Sequence, residues 1–491
     1  MTPSMPCTTR SSVRTKSVDN AMTNEKQVVH PRLGRGRLVS TSNGGTMWDV
    51  LFESGVRFRL PFNQFETKLT PPPPRQITPL RSSAFASLSL DEAGLSGFHA
   101  RQTIEALRMG IVPLTDVETL TIGLKVERTA LSRALSRAAS EGGDVVAVIG
   151  NYGYGKSHFV ELAARMALSE GFLVASASLD LKEMPPSKPY EIYKGVINAI
   201  RYPQTDARGL GVLIQQALDA PSILTQFLQE SSIDERNCPL SAVLRRLQDT
   251  QTNEAKEALI AWLSGQDAPR MYTSKLPKLY RNGENARQYA YLLLRISRLA
   301  MMLGYGGLAV LIDESEHYSL LRPNMRERAD SFFKAMIYGA AGDNGDRVDD
   351  STIPHRVNTA YPLAFDQPCG LFFLFALTDS DDRLPVGEWL SQRQTIRLED
   401  SYIQEDIQTF MQSLLRYHAS AYHYPFSEAR ESDYDYVVAE STKALTHQLK
   451  QHNMNLREVI RTSVHLCDLL YLHPDYAGTQ LVGELRKGLG L

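Results

Sequence analysis

The chain has 491 residues, of which 43% are hydrophobic and 22% charged, as in an ordinary globular protein. A formal net charge of −2 at pH 7 excludes a general electrostatic attraction to nucleic acid. The four cysteines lie far apart, which argues against a zinc site or a disulfide framework and favours reduced thiols in a cytoplasm. Because no apolar run reaches membrane-spanning length, we expect no membrane association and a cytoplasmic location.

The first part of the chain is polar and basic. Residues 1–27 lack periodicity and are predicted to be a disordered tail. Residues 28–69 contain short alternating runs at 37–39, 48–52 and 57–60, separated by turn residues at 43–45 and 54–55. This pattern resembles the SH3-like or Tudor-like β-barrels appended to some helicases. Such a module would bind DNA or a protein partner, and a purely structural cap is the alternative.

A proline-rich linker, residues 70–97, is predicted to separate this module from the rest, because four consecutive prolines at 71–74 form a semi-rigid spacer. From residue 98 onwards, helical and strand patterns alternate, which predicts an α/β domain with a parallel sheet over 98–399. The stretch at about 186–300 is helical in pattern and is interpreted as an insertion. Residues 400–491 are predicted to form a lid of three or four amphipathic helices.

The strongest chemical signal is GNYGYGKS, residues 150–157, which follows the apolar run 145–149. The spacing fits G-x-x-x-x-G-K-[ST], a loop whose glycines let backbone N–H groups surround phosphates at a helix N-terminus. Lys156 would contact the β- and γ-phosphates of ATP, and the Ser157 hydroxyl would bind Mg²⁺. The predicted nucleotide-binding residues are Gly150, Asn151, Tyr152, Gly153, Tyr154, Gly155, Lys156, Ser157 and His158.

Two acidic residues follow a second buried strand, LAVLIDE, residues 308–314. Asp313 is predicted to hold Mg²⁺ through water, and Glu314 to act as the general base that activates the attacking water. Two solvated acids at a strand end are the alternative. A third apolar strand ends at Thr378 and Asp379, which are predicted to orient water between the other two motifs, and a merely soluble loop is the alternative there.

Arginines near the C-terminus could complete the site. Arg457 opens an apolar helix after NMN, residues 453–455, and would reach the γ-phosphate from the lid, with Arg461 one turn later. An ordinary surface arginine is the alternative. For an arginine supplied by a neighbouring subunit, the sequence leaves Arg383, Arg393 and Arg397 open.

A family resemblance is carried by IEALRMGIVP, by the strand, loop and helix around GNYGYGKSH, by PYEIYKGVINAIRYP, by LAVLIDESE and by NLREVIR. Together these segments resemble the ATP-binding proteins of BREX phage exclusion, the BrxC/BrxD-type P-loop family. The resemblance implies an AAA+-like ATPase that works with other proteins of a bacterial anti-phage operon. It carries over to Gly150, Gly155, Lys156, Ser157, Asp313, Glu314 and Arg457.

The sequence therefore predicts an AAA+-like ATPase that uses ATP and Mg²⁺ to assemble or remodel a partner complex on DNA. DNA contact through the N-terminal tail and barrel, and an ATP-dependent homo-oligomer, are further expectations. Two rival functions stay open. One is a DNA-loading ATPase of the replication-initiator or helicase-loader kind, and the other is a nucleotide-gated scaffold with little hydrolysis.

Overall fold

The fold is known from a computed structural model that describes residues 27–30, 34–42, 47–52, 57–61, 97–113, 116–230, 237–282, 284–341, 347–354, 361–365, 367–378, 385–398, 402–423, 431–451 and 453–488. The chain divides into two compact units, Met1–Arg81 and Ser82–Leu491. Within the described residues, no helix is long and apolar enough to cross a membrane.

The first unit contains a four-stranded antiparallel sheet in the sequential order β1-β2-β3-β4. Its strands are β1 Gln27–His30, β2 Gly34–Ser42, β3 Met47–Phe52 and β4 Arg57–Pro61. The three runs predicted from alternation lie within β2, β3 and β4, whereas β1 had no predicted counterpart. The register shifts between Leu38 and Ser40, a bulge of the kind that bends a strand. No pairing of β1 with β4 occurs among the described strands, so a closed barrel stays a prediction.

The second unit is built on a five-stranded parallel sheet in the order β6-β7-β8-β5-β9, which confirms the predicted sheet. Its strands are β5 Gly143–Gly150, β6 Leu173–Ser178, β7 Leu308–Asp313, β8 Leu371–Leu377 and β9 Thr395–Leu398. Every residue of β8 is buried, as a parallel strand covered on both faces requires. Strand β8 lies between β5 and β7, so the carboxyl ends of these three strands meet at one edge.

Helices cover both faces of this sheet. Helices α2 Lys125–Glu141 and α3 Lys156–Ser169 bury apolar side chains against one face. The other face packs on the helices of the stretch that the sequence analysis interpreted as an insertion, and on the helix that follows β7. These helices are α4 Pro189–Asn198, α5 Leu210–Asp219, α6 Pro221–Gln229, α7 Pro239–Asp249, α8 Asn253–Leu263, α9 Arg270–Thr273, α10 Ala286–Met302 and α11 Pro323–Ala341. A short helix, α12 Val386–Trp389, precedes β9.

The C-terminal residues form four helices with a hydrophobic core of their own. They are α13 Gln404–Tyr422, α14 Glu431–Lys450, α15 Leu456–Leu472 and α16 Gly478–Gly488. Helix α1, Gly97–Met109, joins this core through Ala100, Ile104 and Leu107. We refer to the bundle of α1 and α13–α16 as the lid, after the predicted one, and it takes its helices from both ends of the second unit.

Partly buried ion pairs hold α1 in this lid. Arg108 donates from both terminal nitrogens to the carboxylate of Asp468 on α15, at 2.5 and 3.0 Å. His418 on α13 lies 2.9 Å from the same carboxylate. Burial acts to raise the pKa of Asp468, but the hydrogen bonds from His418 and Arg108 prevail and hold it below its usual range. This network fixes α1, α13 and α15 relative to one another.

Candidate functional site

The phosphate loop joins β5 to α3, as the sequence predicted. Gly153 and Gly155 both have φ of +85°, a left-handed conformation that glycine adopts without a Cβ clash. The Gly155 carbonyl accepts the first helical hydrogen bond, from Phe159 at 2.8 Å. Lys156 is only 8% exposed, and its Nζ lies 3.4 Å from the Asn151 carbonyl across the loop. The loop thus curls around a buried lysine at the start of a helix, as a phosphate site requires.

The N-terminus of α15 lies directly on this loop. Asn455 caps α15 by accepting a hydrogen bond from the Glu458 backbone amide at 3.1 Å, and the Asn455 backbone amide donates to the Glu458 carboxylate at 2.8 Å. A Cβ added at Gly153 would lie 3.0 Å from Cγ of Asn455. Glycine is therefore needed at position 153 both for its φ and for this close approach of the lid.

The two lid arginines have different partners. Arg457 donates to the Tyr152 hydroxyl at 3.0 Å, and its guanidinium lies 5.1 Å from the centre of the same ring. Arg461 donates to the Met109 carbonyl at 2.8 Å and so satisfies the C-terminal end of α1. Because Tyr152 is 71% exposed, Arg457 rests at the mouth of the phosphate loop, whereas Arg461 ties two lid helices together.

A pocket opens between the phosphate loop, the segment after α1 and the start of α15. Its polar part contains Lys156, Ser157, Glu314 and Arg457. The rest of its wall is mostly apolar and is formed by Leu107, Ile111, Val112, Pro113, Leu120, Ile122, Leu124, Leu456 and Ile460. This apolar slot beside the phosphate loop offers the kind of surface on which ligand pockets bury rings.

The predicted acidic pair lies at the end of β7. Asp313 is half-buried and accepts a hydrogen bond from the Glu314 amide at 2.9 Å. Glu314 has φ of +56° and ψ of +32°, a left-handed conformation that costs a non-glycine residue about 1–2 kcal/mol. Strain of this kind concentrates at functional sites. Glu314 lines the pocket together with Lys156 and Ser157.

His158, in the first turn of α3, connects the loop to the segment after α1. Its Nε2 lies 2.8 Å from the Thr121 hydroxyl, which itself donates to the Val117 carbonyl at 2.6 Å. Burial lowers the pKa of His158 to about 4, so the ring is neutral at pH 7.

The predicted residues are thus brought together in part. Residues 152–158, Glu314 and Arg457 surround one pocket, whereas Asp313 and Thr378 are not part of its wall. Thr378 follows β8, the strand between those of the loop and the acidic pair. Asp379 and Arg383 lie outside the described residues.

The sequence did not reveal the apolar wall or Asn455 as a loop contact. The sequence did contain one feature that could have indicated the apolar wall, since Ile111, Val112 and Pro113 form an apolar run outside any helix or strand. The Asn455 contact joins positions some three hundred residues apart, and spacing along the chain cannot show such a contact.

The parallel sheet, the loop at the end of β5 and the acidic residues at the end of β7 define a P-loop type of nucleotide-binding α/β protein. The chain belongs to the BREX system ATP-binding protein BrxC/D family, whose sequence model matches residues 97–237 and 223–486. This confirms the resemblance seen in the sequence motifs. A search of curated proteins found no match.

Proposed function

We propose that the pocket binds ATP with Mg²⁺ and hydrolyses it, and that the nucleotide state controls the lid. The observation that carries this proposal is the meeting of Lys156, Ser157 and Glu314 at one pocket that also has an apolar slot. These groups supply a cation for phosphates, a hydroxyl for a metal ion, and a carboxylate for water.

The residues fit a magnesium site in which the protein supplies only one or two of the ligands. Ser157 is partly exposed and its hydroxyl has no hydrogen bond to any described residue, while Asp313 offers a half-buried carboxylate. No group of three or more His, Cys, Asp or Glu in the described ranges could hold a metal by itself. Mg²⁺ commonly uses one or two protein oxygens, and phosphates and waters complete its shell. When bound, the ion would neutralise charge on the β- and γ-phosphates.

Glu314 is proposed to take the proton of the attacking water. Its left-handed backbone sets the direction in which the side chain leaves the end of β7, and the residue lines the pocket. Lys156 and Arg457 would stabilise the charge that the γ-phosphate develops. For Arg457 to do so, it must exchange its contact with Tyr152 for one with the nucleotide.

This exchange would couple the nucleotide to the lid. Helix α15 begins on the phosphate loop at Asn455 and packs against α1 and α13 farther along. A displacement at its N-terminus would therefore move the lid as one body. We propose that this movement acts on other proteins of the BREX operon, with DNA contacted through the N-terminal tail and module.

A shared site between subunits is part of this proposal. Arg393 and Arg397 are exposed and lie at or next to β9, the edge strand beside β5. An arginine there could reach a neighbour's γ-phosphate. Sedimentation of the Glu314→Gln variant with ATP tests the idea, and a strictly monomeric particle at tens of micromolar, with partners and DNA present, would rule it out.

A nucleotide-gated scaffold remains a second candidate, because one contact favours it. Arg457 is held by both the hydroxyl and the ring face of Tyr152, an arrangement that keeps it from the γ-phosphate. Adding DNA or operon partners separates the two functions. A burst of turnover supports a motor, and continued binding without turnover supports a scaffold.

The direct test of binding is calorimetry with ATP on the parent, on Lys156→Ala and on the control Lys194→Ala. Lys194 lies on the exposed side of α4 within the insertion. We expect Lys156→Ala to weaken binding strongly, because it removes the buried cation of the loop, and the control to bind like the parent. Parental affinity in Lys156→Ala would refute the assignment of this loop.

A further inference from the structure

The hydrogen bonds around Thr121 determine which nitrogen of His158 carries the proton. The Thr121 hydroxyl has one proton, and it donates that proton to the Val117 carbonyl at 2.6 Å. Its oxygen can therefore only accept from His158 Nε2, which lies 2.8 Å away. A neutral imidazole has a single N–H, so Nδ1 of His158 is left as a hydrogen-bond acceptor.

The residue that carries this acceptor lines the pocket. His158 is largely but not completely buried and contributes to the pocket wall, and Nδ1 has no hydrogen-bond partner among the described residues. The neighbouring wall is formed by apolar side chains, including Leu120, Ile122 and Leu124. In such surroundings one unpaired acceptor has a large influence, because a ligand atom that cannot donate to it is desolvated without compensation.

We propose that His158, held as the Nε2–H tautomer by Thr121, makes the pocket select adenine by accepting a hydrogen bond from the 6-amino group. This inference rests on the proposed function, in that the pocket takes the base of the nucleotide. Adenine presents an N–H donor at position 6, whereas guanine and hypoxanthine present a carbonyl acceptor there. A carbonyl opposite Nδ1 would place two acceptors face to face. Sites built around one hydrogen bond reject the analogue that cannot form it.

The experiment measures calorimetric binding of ATP, of inosine triphosphate and of purine riboside triphosphate, which has no group at position 6. The variants are His158→Phe, which keeps a ring but removes the acceptor, and Thr121→Val, which removes the hydroxyl that selects the tautomer. Thr129→Val is the matched control, because the Thr129 hydroxyl makes the same type of bond to the Lys125 carbonyl, at 2.8 Å, on the exposed side of α2.

The parent and Thr129→Val should bind ATP about 10–100-fold more tightly than inosine triphosphate, with purine riboside triphosphate between them. The ratio should fall to within about threefold in His158→Phe and decrease in Thr121→Val. Binding of all three nucleotides by the parent with no preference would overturn the inference alone, as would an unchanged ratio in both variants. Failure of the parent to bind any of the three would overturn the proposed function as well. If His158→Phe does not fold, Thr121→Val decides.

Discussion

Replacing Gly153 by alanine should destabilise the protein more than an equally strained replacement elsewhere. Gly171, after the end of α3, has φ of +84° against +85° for Gly153, so an alanine Cβ meets the same backbone strain at both positions. That strain is about 1–2 kcal/mol, partly offset by the lower entropy of the unfolded chain, which leaves a net loss of about 1 kcal/mol. The surroundings differ, because no described atom lies within 4 Å of the added Cβ at 171.

At position 153 the added Cβ would lie 3.0 Å from Cγ and 3.1 Å from Oδ1 of Asn455. Relief of this contact displaces the side chain that caps α15, and loss of such a cap costs about 1 kcal/mol. We therefore expect urea unfolding to show a loss of about 2 kcal/mol for Gly153→Ala and about 1 kcal/mol for Gly171→Ala.

Hydrogen exchange at the Glu458 amide gives a local measurement of the same effect, because this amide donates to Asn455. It should exchange about fivefold faster in Gly153→Ala and at the parental rate in Gly171→Ala. In an Asn455→Gly background, which costs only a few tenths of a kcal/mol by itself, the difference between the two alanine variants should vanish. Equal effects of the two variants in the parent background would refute the contact between the lid and the loop.

Three further predictions concern the acidic pair, a titrating ring and the N-terminal unit. Glu314→Gly should be about 1 kcal/mol more stable than Glu314→Ala in urea unfolding, because glycine adopts the left-handed conformation without strain; equal stabilities would contradict the strain. As the pH falls from 6.5 to 4, the free energy of unfolding should decrease more steeply in the parent than in His158→Phe. Burial lowers the pKa of His158 from 6.5 to about 4, so over this range the unfolded chain binds a proton that the folded chain does not. Equal slopes would show a solvated ring. Deleting residues 1–69 should leave ATP affinity and the melting temperature of the remainder unchanged, because the first compact unit ends at Arg81; a collapse in melting temperature would make that unit part of the ATPase core.

The elements that form the proposed phosphate site were predictable from the sequence because their signals are local. An apolar run followed by a glycine-rich loop and a helical pattern specifies β5, residues 150–155 and α3 without any knowledge of the fold. The apolar run LAVLID predicted strand β7 in the same way. Strand β9 was missed, because its four residues, Thr395–Leu398, are too few to show a period.

The parts of the site that escaped prediction depend on contacts between distant segments. Nothing near Leu107 or Ile122 indicates that they face Leu456 across a pocket, since that arrangement follows from the packing of α1 into the lid. The acceptor role of His158 depends likewise on Thr121 and Val117, which precede it by about forty positions. Residue type and spacing along the chain could identify His158 only as part of the loop.

The most direct test of the central claim is ATP turnover by the parent and by Glu314→Gln, with ATP affinity measured on the same samples. Glu327→Gln serves as the matched control, because Glu327 lies exposed on α11. If Glu314 is the general base of an ATPase, Glu314→Gln should bind ATP as the parent does and hydrolyse it at least about 10²-fold more slowly, while the control keeps the parental rate. Parental turnover in Glu314→Gln would contradict the account.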